Sequence, residues 1–318
     1  GRPRRMKISL ALVVCALGPL AAAEPAPLII AHRGASGYLP EHTLAAKALA
    51  YAQGADYLEQ DVVLAKDGVP IVQHDVTLDS TTDVATRFPG RQRANGNFYA
   101  IDFTWAELRQ LRVVERFSPK TGKPVYPGRF PGGVGEFRIN TFEEELQFIQ
   151  GLNRSTGRKV GIYPEVKLAA WHRQEGHDVS KAVLTLLAKY GYATKDDSCF
   201  IQSFELAELR RLRGELGWKG RLVFLTGGKT PWTDTPEGLR ELAQLVDGIG
   251  PPLSAVATER GLTGLVARAQ AAGLRVHPYT LRNDALPKGF ASGRDYFAFL
   301  AREAKVDGVF TDFPDVGR

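Results

Sequence analysis

The sequence predicts a (β/α)8 barrel of the α/β class, and three observations support this fold. Short apolar runs bounded by glycine or polar residues, which are typical of buried strands, alternate with helical runs along the chain. Eight such alternations fill the length that these barrels need, roughly 250 residues. The motifs G-x-G-x-x-G and G-x-x-x-x-G-K-[ST] do not occur, which disfavours the nucleotide-binding open sheets.

The elements are expected in regular order along one domain, residues 24–318. Parallel strands are predicted at 28–33, 57–63, 160–167, 199–204, 221–226, 246–250, 274–280 and 307–312. Helices are predicted at 41–53, 178–190, 205–216, 236–245, 260–272 and 294–304. The first strand, the first helix and the second strand form a βαβ unit, which should have a right-handed crossover.

An extra strand is expected directly after the second barrel strand. Only Ala65-Lys66-Asp67-Gly68 separates that strand from the apolar run at 69–74, and Asp-Gly between apolar runs indicates a hairpin. Four residues cannot hold a crossover helix, so this pair should be antiparallel. Pairing across a turn at this point places His74 opposite the stretch from Glu59 to Asp61.

Residues 76 to about 158 are predicted to be an insertion that caps the site. The segment has few strand signals, is rich in arginine, glycine and proline, and contains helical patches at 105–111 and 141–151. A connector of this length is not expected in a compact domain unless it has a role.

The first 23 residues have the pattern of a secretory signal. A basic start is followed by an apolar run over 8–17 and by Ala21-Ala22-Ala23. We expect Met6 to be the native start, which leaves 1–5 as an upstream remnant, and we expect cleavage near Ala23. The apolar run is too short for a stable membrane-spanning helix. The protein is therefore expected to be periplasmic or secreted, without stable membrane insertion.

Loss of this leader changes the charge balance of the chain. The formal net charge is +6, and the leader holds four basic residues and no acidic one, so the mature chain carries +2. This small excess does not indicate a nucleic-acid partner. Cleavage of the leader also removes Cys15 and leaves Cys199 as the single cysteine of the mature chain. A single cysteine cannot form an intramolecular disulfide. The sequence leaves the oligomeric state open, a homodimer included.

Three carboxylates predict a metal site. Active sites of these barrels lie at the carboxyl ends of the strands, where Glu59 and Asp61 end the second strand and Glu165 ends the third. Three like charges cannot be buried together unless a cation or a lysine compensates them. Oxygen ligands without a cysteine nearby suit Ca²⁺ or Mg²⁺ better than zinc.

The basic residues at the same strand ends predict phosphate chemistry. Arg33 and Lys167 can hold an anion, and an arginine grips phosphate oxygens bidentately. His32 and His74 are suited to move protons near neutral pH. Together with the carboxylates, these residues indicate metal-assisted phosphoryl transfer on a small-molecule substrate.

Some of these residues also have a purely structural explanation. A single histidine at a strand end is more often structural than catalytic, but two histidines in register with Glu-x-Asp weaken that explanation. Glu165 and Lys167 could form an ion pair inside the barrel. Trp171, which begins the helix after the third strand, is predicted as a substrate contact, although a core or lid role is about equally compatible with the sequence.

Other polar residues lie near strand ends with less information about their role. Gln202 at the end of the fourth strand and Tyr279 at the end of the seventh are predicted substrate contacts. Glu41 and His42 lie at the start of the first helical run and are expected to cap it. His172 is expected on a solvated face.

At these motifs the chain resembles the glycerophosphodiester phosphodiesterase family, in particular its secreted periplasmic members. The similar stretches lie between residues 29 and 315 and read HRGASGYLPEHTLAAKALAYAQGADYLEQDV, VQHDVTLDSTTDVA, FRINTFEEEL, GIYPEVK, WHRQEGHD, GLRVHPYTLR and VDGVFTDFPD. Coverage of this breadth is more specific than any single short motif.

The resemblance implies a (β/α)8 barrel with an inserted cap and a divalent ion, usually Ca²⁺ in the periplasmic members. The implied roles fall on the residues singled out above: the ion on Glu59, Asp61 and Glu165, the paired histidines on His32 and His74, and the phosphate contacts on Arg33 and Lys167. The implied reaction is hydrolysis of glycerophosphocholine, glycerophosphoethanolamine and similar diesters to sn-glycerol 3-phosphate and an alcohol.

The chain departs from the common family pattern at three positions. Ser80 stands where many members carry arginine, Tyr279 replaces a frequent tryptophan, and His42 stands where many members carry asparagine. Two other functions remain compatible with the sequence. One is a phospholipase C- or D-like barrel enzyme that acts on intact lipids, and the other is a non-catalytic protein that binds glycerophosphodiesters.

Overall fold

The computed structural model describes residues 26–227 and 230–318. The predicted leader at 1–23, its upstream remnant and Cys15 lie outside these ranges. Within them, no helix has both the length and the apolar character needed to cross a membrane. Cys199 is a buried free thiol.

Eight parallel strands form a nearly closed barrel, which confirms the predicted fold class. The strands, numbered here from first to eighth along the chain, are Leu28–Ala31, Tyr57–Leu64, Gly161–Val166, Phe200–Ser203, Arg221–Leu225, Gly248–Gly250, Arg275–Val276 and Gly308–Thr311. The first seven strands pair in sequence order, each with the next, and the eighth pairs with the first. The seventh and eighth strands approach each other through backbone bonds from Asp307 N–H to the Val276 carbonyl and from Phe310 N–H to the Pro278 carbonyl.

An aromatic cluster fills the inside of the barrel. Tyr163 lies against Phe200 and Phe310 with ring centroids 4.9 and 5.0 Å apart. The Tyr163 hydroxyl and His277 Nδ1 are 2.8 Å apart, so this buried histidine is used inside the core. The apolar filling closes the barrel interior and leaves polar side chains to gather at the carboxyl ends of the strands.

Helices surround the barrel, and their ends lie within a few residues of the predicted bounds. The longer ones are Leu44–Ala52, Phe142–Thr156, Val179–Lys189, Leu206–Arg213, Pro236–Ala243, Leu265–Ala271 and Gly293–Arg302. The shorter ones are Val84–Arg87, Trp105–Leu108, Ala169–Gln174, Pro231–Asp234 and Leu253–Val256, with 3-10 turns at Ala100–Asp102 and Pro314–Gly317. Two short antiparallel pairs join Arg112–Val113 with Phe137–Arg138 and Ala257–Thr258 with Gly261–Leu262.

The predicted hairpin after the second strand is confirmed. Strand Pro70–Val72 pairs antiparallel with the second barrel strand, with Val62 opposite Val72. The Gln73 N–H donates to the Asp61 carbonyl at 2.9 Å and extends the register by one position. This register brings His74 to the end of the second strand where its carboxylates lie, as the hairpin turn at Gly68 predicts.

The segment that follows the hairpin has an apolar core of its own. Residues from Leu78 to Ile139 form a separate apolar cluster with Val63 and Ile71. Helix Phe142–Thr156 instead packs into the main core through Phe142, Leu146 and Ile149. That helix lies between the second and third strands of the barrel. The name added segment is used below for residues 76–139, and the predicted insertion over about 76–158 stays a prediction.

Candidate active site

Three buried carboxylates meet at the carboxyl ends of the second and third strands. Parallel pairing sets Asp61 opposite Glu165, and Glu59 points to the same face because it lies two residues before Asp61. One oxygen of each carboxylate lies within 4.8 Å of the others. All three side chains are buried.

The three carboxylates do not carry equal charge without a cation. Burial and the charge of Asp61 raise the pKa of Glu59 well above its usual value, and burial raises the pKa of Glu165 to about 8. Burial also opposes ionisation of Asp61, but the Lys167 ammonium and His74 hold the pKa of that carboxyl well below its usual range.

The arrangement fits a divalent cation. Asp61 Oδ1 is buried and, among the residues that the structure describes, has no hydrogen-bond partner. Oxygen-only donors from three carboxylates are the set that Ca²⁺ and Mg²⁺ prefer. A cation between them would remove the mutual repulsion that keeps the pKa values of Glu59 and Glu165 high.

Neighbouring groups hold the carboxylates in place. His42 Nε2 lies 2.7 Å from Asp61 Oδ2, and the Gln202 amide donates to Glu59 Oε1 at 3.0 Å. The expectation that Glu41 and His42 cap the first helix is wrong, because Thr43 caps it and accepts from the Ala46 N–H. His42 instead adopts a left-handed backbone with φ of 60°, and its side chain supports a carboxylate of the acidic cluster.

Each predicted catalytic histidine is paired with an aspartate. His32 Nδ1 lies 2.6 Å from Asp312 Oδ1, and His74 Nδ1 lies 2.6 Å from Asp75 Oδ1. An ionised carboxylate accepts from Nδ1–H, which leaves Nε2 of each imidazole for the pocket. Burial and the Arg33 charge lower the pKa of His32 to about 4 and also lower the pKa of His74.

Two cations border the carboxylates. Arg33 Nη1 lies 3.1 Å from both oxygens of Glu41, while its backbone N–H donates to Glu59 Oε2 at 2.7 Å. Lys167 Nζ lies 3.1 Å from Glu165 Oε1. Arg33 also has a left-handed backbone, with φ of 60°. This conformation directs the Arg33 side chain along the rim of the site.

These residues surround a cavity of about 180 Å³. Its wall is formed by His32, Arg33, Glu59, Asp61, His74, Glu165, Gln202, Phe204, Leu225, Tyr279, Thr280, Arg282 and Phe310. The structure thus brings together nearly all the site residues predicted from the sequence. Lys167 lies at the edge, in an adjoining cavity of about 400 Å³ that shares His74, Glu165 and Phe204 with the first.

Two residues of the helix after the third strand lie outside the cavity, and the expectation for His172 is wrong. Trp171 does not line the cavity; its ring stacks on Tyr99 of the added segment with centroids 5.7 Å apart. His172 is not on a solvated face but fully buried, and its Nε2 accepts from the Leu64 N–H at 3.2 Å. Both residues fasten the helix Ala169–Gln174 to the structure around it.

Sequence reasoning missed the residues that hold the histidines and Arg33. Asp312 was visible only as a polar residue at the end of the eighth strand, and Glu41 only as a residue before a helix. Arg116 and Arg129 of the added segment gave no signal, because their partners are between 41 and 183 residues away in sequence.

Comparison with known proteins agrees with this geometry. The model of the glycerophosphoryl diester phosphodiesterase family matches residues 32–316. A glycerophosphodiester phosphodiesterase from Haemophilus influenzae is 44% identical, over 91% of this chain and 88% of the relative. One from Treponema pallidum is 42% identical, over 91% and 90%.

The chain belongs to the glycerophosphoryl diester phosphodiesterase family. It is a phosphoric diester hydrolase that acts on glycerophosphodiesters, and the family is metal-dependent. The cluster of Glu59, Asp61 and Glu165 could hold the metal.

Solved structures show the same fold. A structure from Silicibacter pomeroyi DSS-3 has a TM-score of 0.70 at 25% identity and covers 93% of both chains. A phosphodiesterase from Oleispira antarctica, solved in complex with the product sn-glycerol-3-phosphate, has a TM-score of 0.62 at 24% identity and covers 91% of this chain and 94% of its own.

Proposed function

We propose that this phosphodiesterase cleaves glycerophosphocholine, glycerophosphoethanolamine and similar diesters to sn-glycerol 3-phosphate and an alcohol. The single observation that carries the catalytic proposal is the pair of histidine–aspartate contacts, His32–Asp312 and His74–Asp75, on one cavity with three carboxylates. A protein that only binds the diester would not need two oriented imidazoles.

The proposed resident ion is Ca²⁺, with Mg²⁺ as the alternative. Glu59, Asp61 and Glu165 would hold it through carboxylate oxygens, and Asp61 Oδ1 is the oxygen without another partner in the described part of the chain. When bound, the ion supplies Lewis-acid polarisation of the phosphate. Arg33 and Lys167 add positive charge at the rim, where the phosphate oxygens would lie.

The chain's own residues would move the protons in two steps. In the first step, His32 Nε2 takes the proton of the glycerol 2-hydroxyl, and the 2-oxygen attacks phosphorus. His74 gives a proton to the oxygen of the departing alcohol as its bond to phosphorus breaks. In the second, His74 takes a proton from water, the water oxygen opens the five-membered cyclic phosphate, and His32 returns its proton to the 2-oxygen. Both histidines then regain their starting states.

The burial of His32 and the exposure of His74 support this division of roles. As the acid, His74 must carry a proton in the first step; Asp61 and Asp75 favour that proton, whereas burial and the Arg33 charge lower the pKa of His74. His32 is the more deeply buried of the two, and burial keeps its pKa at about 4, so it is neutral and able to accept a proton. His74 is more exposed and lies on both the site cavity and the adjoining one. The alcohol would leave on that side. Gln202 and Tyr279 remain proposed substrate contacts, whereas Trp171 lies outside the cavity.

We also propose that the enzyme is exported and that it consists of one domain with a cap. The leader pattern at 1–23 supports a periplasmic or secreted enzyme. The separate apolar cluster of 78–139 supports one barrel domain, residues 24–318, that carries a cap on the site.

Replacement of each histidine tests the catalytic proposal. His32→Ala and His74→Ala should each remove nearly all release of glycerol 3-phosphate from glycerophosphocholine, a loss of about 10³-fold or more. Calcium binding by calorimetry should persist in both variants, because neither histidine is a proposed ligand. Near-normal turnover in either variant would contradict its role. Absence of turnover by the wild type with Ca²⁺ present would favour a binding protein.

A further inference from the structure

Two arginines of the added segment reach the two histidine–aspartate pairs. Arg116 and Arg129 lie 13 positions apart, on the stretch that runs between the short strands Arg112–Val113 and Phe137–Arg138. Each contacts the aspartate of a different pair. The barrel thus supplies the histidines and their aspartates, and the added segment supplies a cation behind each aspartate.

Arg116 links three residues of the site. Its Nη1 donates to Asp75 Oδ2 at 2.8 Å, on the oxygen that His74 does not use. Its Nε and Nη2 donate to the two oxygens of Glu41 at 2.9 and 2.7 Å, and Glu41 in turn binds Arg33. The Arg116 and Asp75 side chains are 16% and 28% exposed, so this contact is largely shielded from water.

Arg129 makes the corresponding contact on the other side. Its Nη2 donates to Asp312 Oδ2 at 2.8 Å, while Asp312 Oδ1 binds His32. The side chain is only 4% exposed, is further held by Asp284, and lies over the ring of Tyr126. Asp312 has a second cation, because Arg282 Nε also lies 2.8 Å from its Oδ2.

We propose that Arg116 and Arg129 are positioning residues for catalysis, and that the added segment therefore completes the acid–base pair rather than only covering it. Arg116 holds Asp75 and through it the orientation of His74, the acid toward the leaving alcohol. Arg129 holds Asp312 and through it His32, the base. This inference rests on the proposed roles of the two histidines.

The geometry distinguishes this role from simple anchoring of the segment. A guanidinium directs its donors in a fixed plane, so a carboxylate bound to it has a defined rotation. Each aspartate presents one oxygen to arginine and the other to imidazole, and therefore passes that rotation on to the ring. Imidazole orientation decides whether Nε2 lies within reach of the reacting oxygen.

Arg93 provides the matched control. It also joins the added segment to the barrel, through Glu175 at 2.7 Å, and within the segment it binds Asp102 at 2.7 Å. Neither carboxylate contacts a histidine of the site. Loss of Arg93 therefore removes an arginine that also binds two carboxylates, without removing a contact to the aspartate partners of His32 and His74.

Leaving-group chemistry separates the two arginines. Wild type, Arg116→Ala, Arg129→Ala and Arg93→Ala would be compared on glycerophosphocholine and on the glycerophosphodiester of p-nitrophenol. Choline leaves as a poor alkoxide and needs a proton from His74, whereas p-nitrophenolate leaves without one. In a single turnover, Arg116→Ala should slow release of choline from glycerophosphocholine by about 100-fold and release of p-nitrophenolate from the nitrophenyl ester by less than about tenfold. Alcohol release is measured because the second step uses His74 with both substrates. Arg129→Ala should lower kcat on both substrates alike, by about tenfold, because Arg282 still holds Asp312.

Two further measurements keep the test independent of folding. Guanidinium ion at millimolar concentration should restore part of the turnover of Arg116→Ala and none in Asp75→Asn. The double variant Arg116→Ala/Asp75→Asn should lose no more activity than Asp75→Asn alone, since both changes interrupt one chain of contacts.

The inference is overturned if Arg116→Ala loses activity equally on both substrates. It is also overturned if the activity of Arg116→Ala on each substrate equals that of Arg93→Ala. A loss of activity in Arg116→Ala/Asp75→Asn equal to the product of the two single-variant losses also overturns it. Failure of the proposed function looks different, because the wild type itself would then release no glycerol 3-phosphate from either substrate.

Discussion

At the scale of single residues, Asp61 is the side chain on which the contacts of the site converge. Its Oδ2 binds His42, Lys167 lies 3.9 Å from its Oδ1, and Arg33 lies 3.9 Å from its Oδ2. Only Oδ1 is left without a hydrogen bond among the described residues. The surrounding cations keep Asp61 ionised before a metal arrives, so the site is prepared to attract one.

His42 should control the strength of cation binding. Without it, Asp61 loses a buried partner and its orientation, and His42→Ala should weaken calcium affinity by about 10- to 100-fold. His42→Asn keeps a donor at this position and should bind within a few-fold of wild type. Titration calorimetry with Ca²⁺ measures both. An affinity of His42→Ala for Ca²⁺ equal to that of wild type would show that His42 does not support the ligand.

Glu115 should make stability depend on pH. It is 5% exposed and faces Arg129, Arg116 and Glu41, and burial raises the pKa of its carboxyl to about 7. The unfolded chain, with a pKa of about 4.3, releases this proton more easily. The contribution of the protonated carboxyl to stability is therefore complete below about pH 4.3 and is lost as the pH rises through 7.

The variant Glu115→Gln isolates this effect. It should match wild type near the lower pH and exceed it by about 2 kcal/mol at about pH 8, after allowance for solvent screening. Urea unfolding at the two pH values gives the difference. Glu136→Gln, which changes an exposed carboxylate of the same segment, is the control. An equal advantage of Glu115→Gln at both pH values would rule out this titration as the cause.

At the scale of elements, local patterns predicted all eight strands and the hairpin, because apolar runs and turn residues are local signals. Helix bounds were less accurate: the first helix begins at Leu44 because Thr43 caps it. The predicted end of the insertion, at about 158, stays a prediction for a different reason. Helix Phe142–Thr156 directs its apolar side to the barrel, and no local signal distinguishes a helix of the barrel from a helix of the cap.

That helix offers two glycines with opposite requirements. Gly151 is exposed in the helix interior with open space around its Cα, and Gly157 ends the helix with φ of 74°. Gly151→Ala should raise the free energy of unfolding by about 0.5–1 kcal/mol, because glycine is a poor helix residue. Gly157→Ala should lower it by about 1 kcal/mol, because alanine disfavours the left-handed conformation. Urea denaturation distinguishes the signs, and two changes of the same sign would contradict this reading.

At the scale of the whole molecule, the site is assembled from segments that are remote in sequence. His32 meets Asp312 across 280 positions, and Gln202 meets Glu59 across 143. The strand-end rule for barrels predicted which residues gather at one end. It could not predict which side chains pair there, since pairing depends on rotamers and on a segment whose path has no repeating pattern. The left-handed backbones of Arg33 and His42 were equally invisible in the sequence.

Divalent cations should therefore stabilise the whole fold as well as support turnover. A ligand that binds only the folded state at about 100 times its Kd adds about 2.7 kcal/mol, which corresponds to roughly 5–10 °C in Tm for a chain of this size. Chelator-treated enzyme should show this gain on addition of Ca²⁺ together with recovery of turnover. Glu165→Gln removes one of three ligands and should respond at least about tenfold more weakly in apparent affinity, whereas Glu237→Gln, at an exposed surface pair, should respond like wild type. If neither Ca²⁺ nor Mg²⁺ changes the Tm of the wild type, Glu59, Asp61 and Glu165 do not form a cation site.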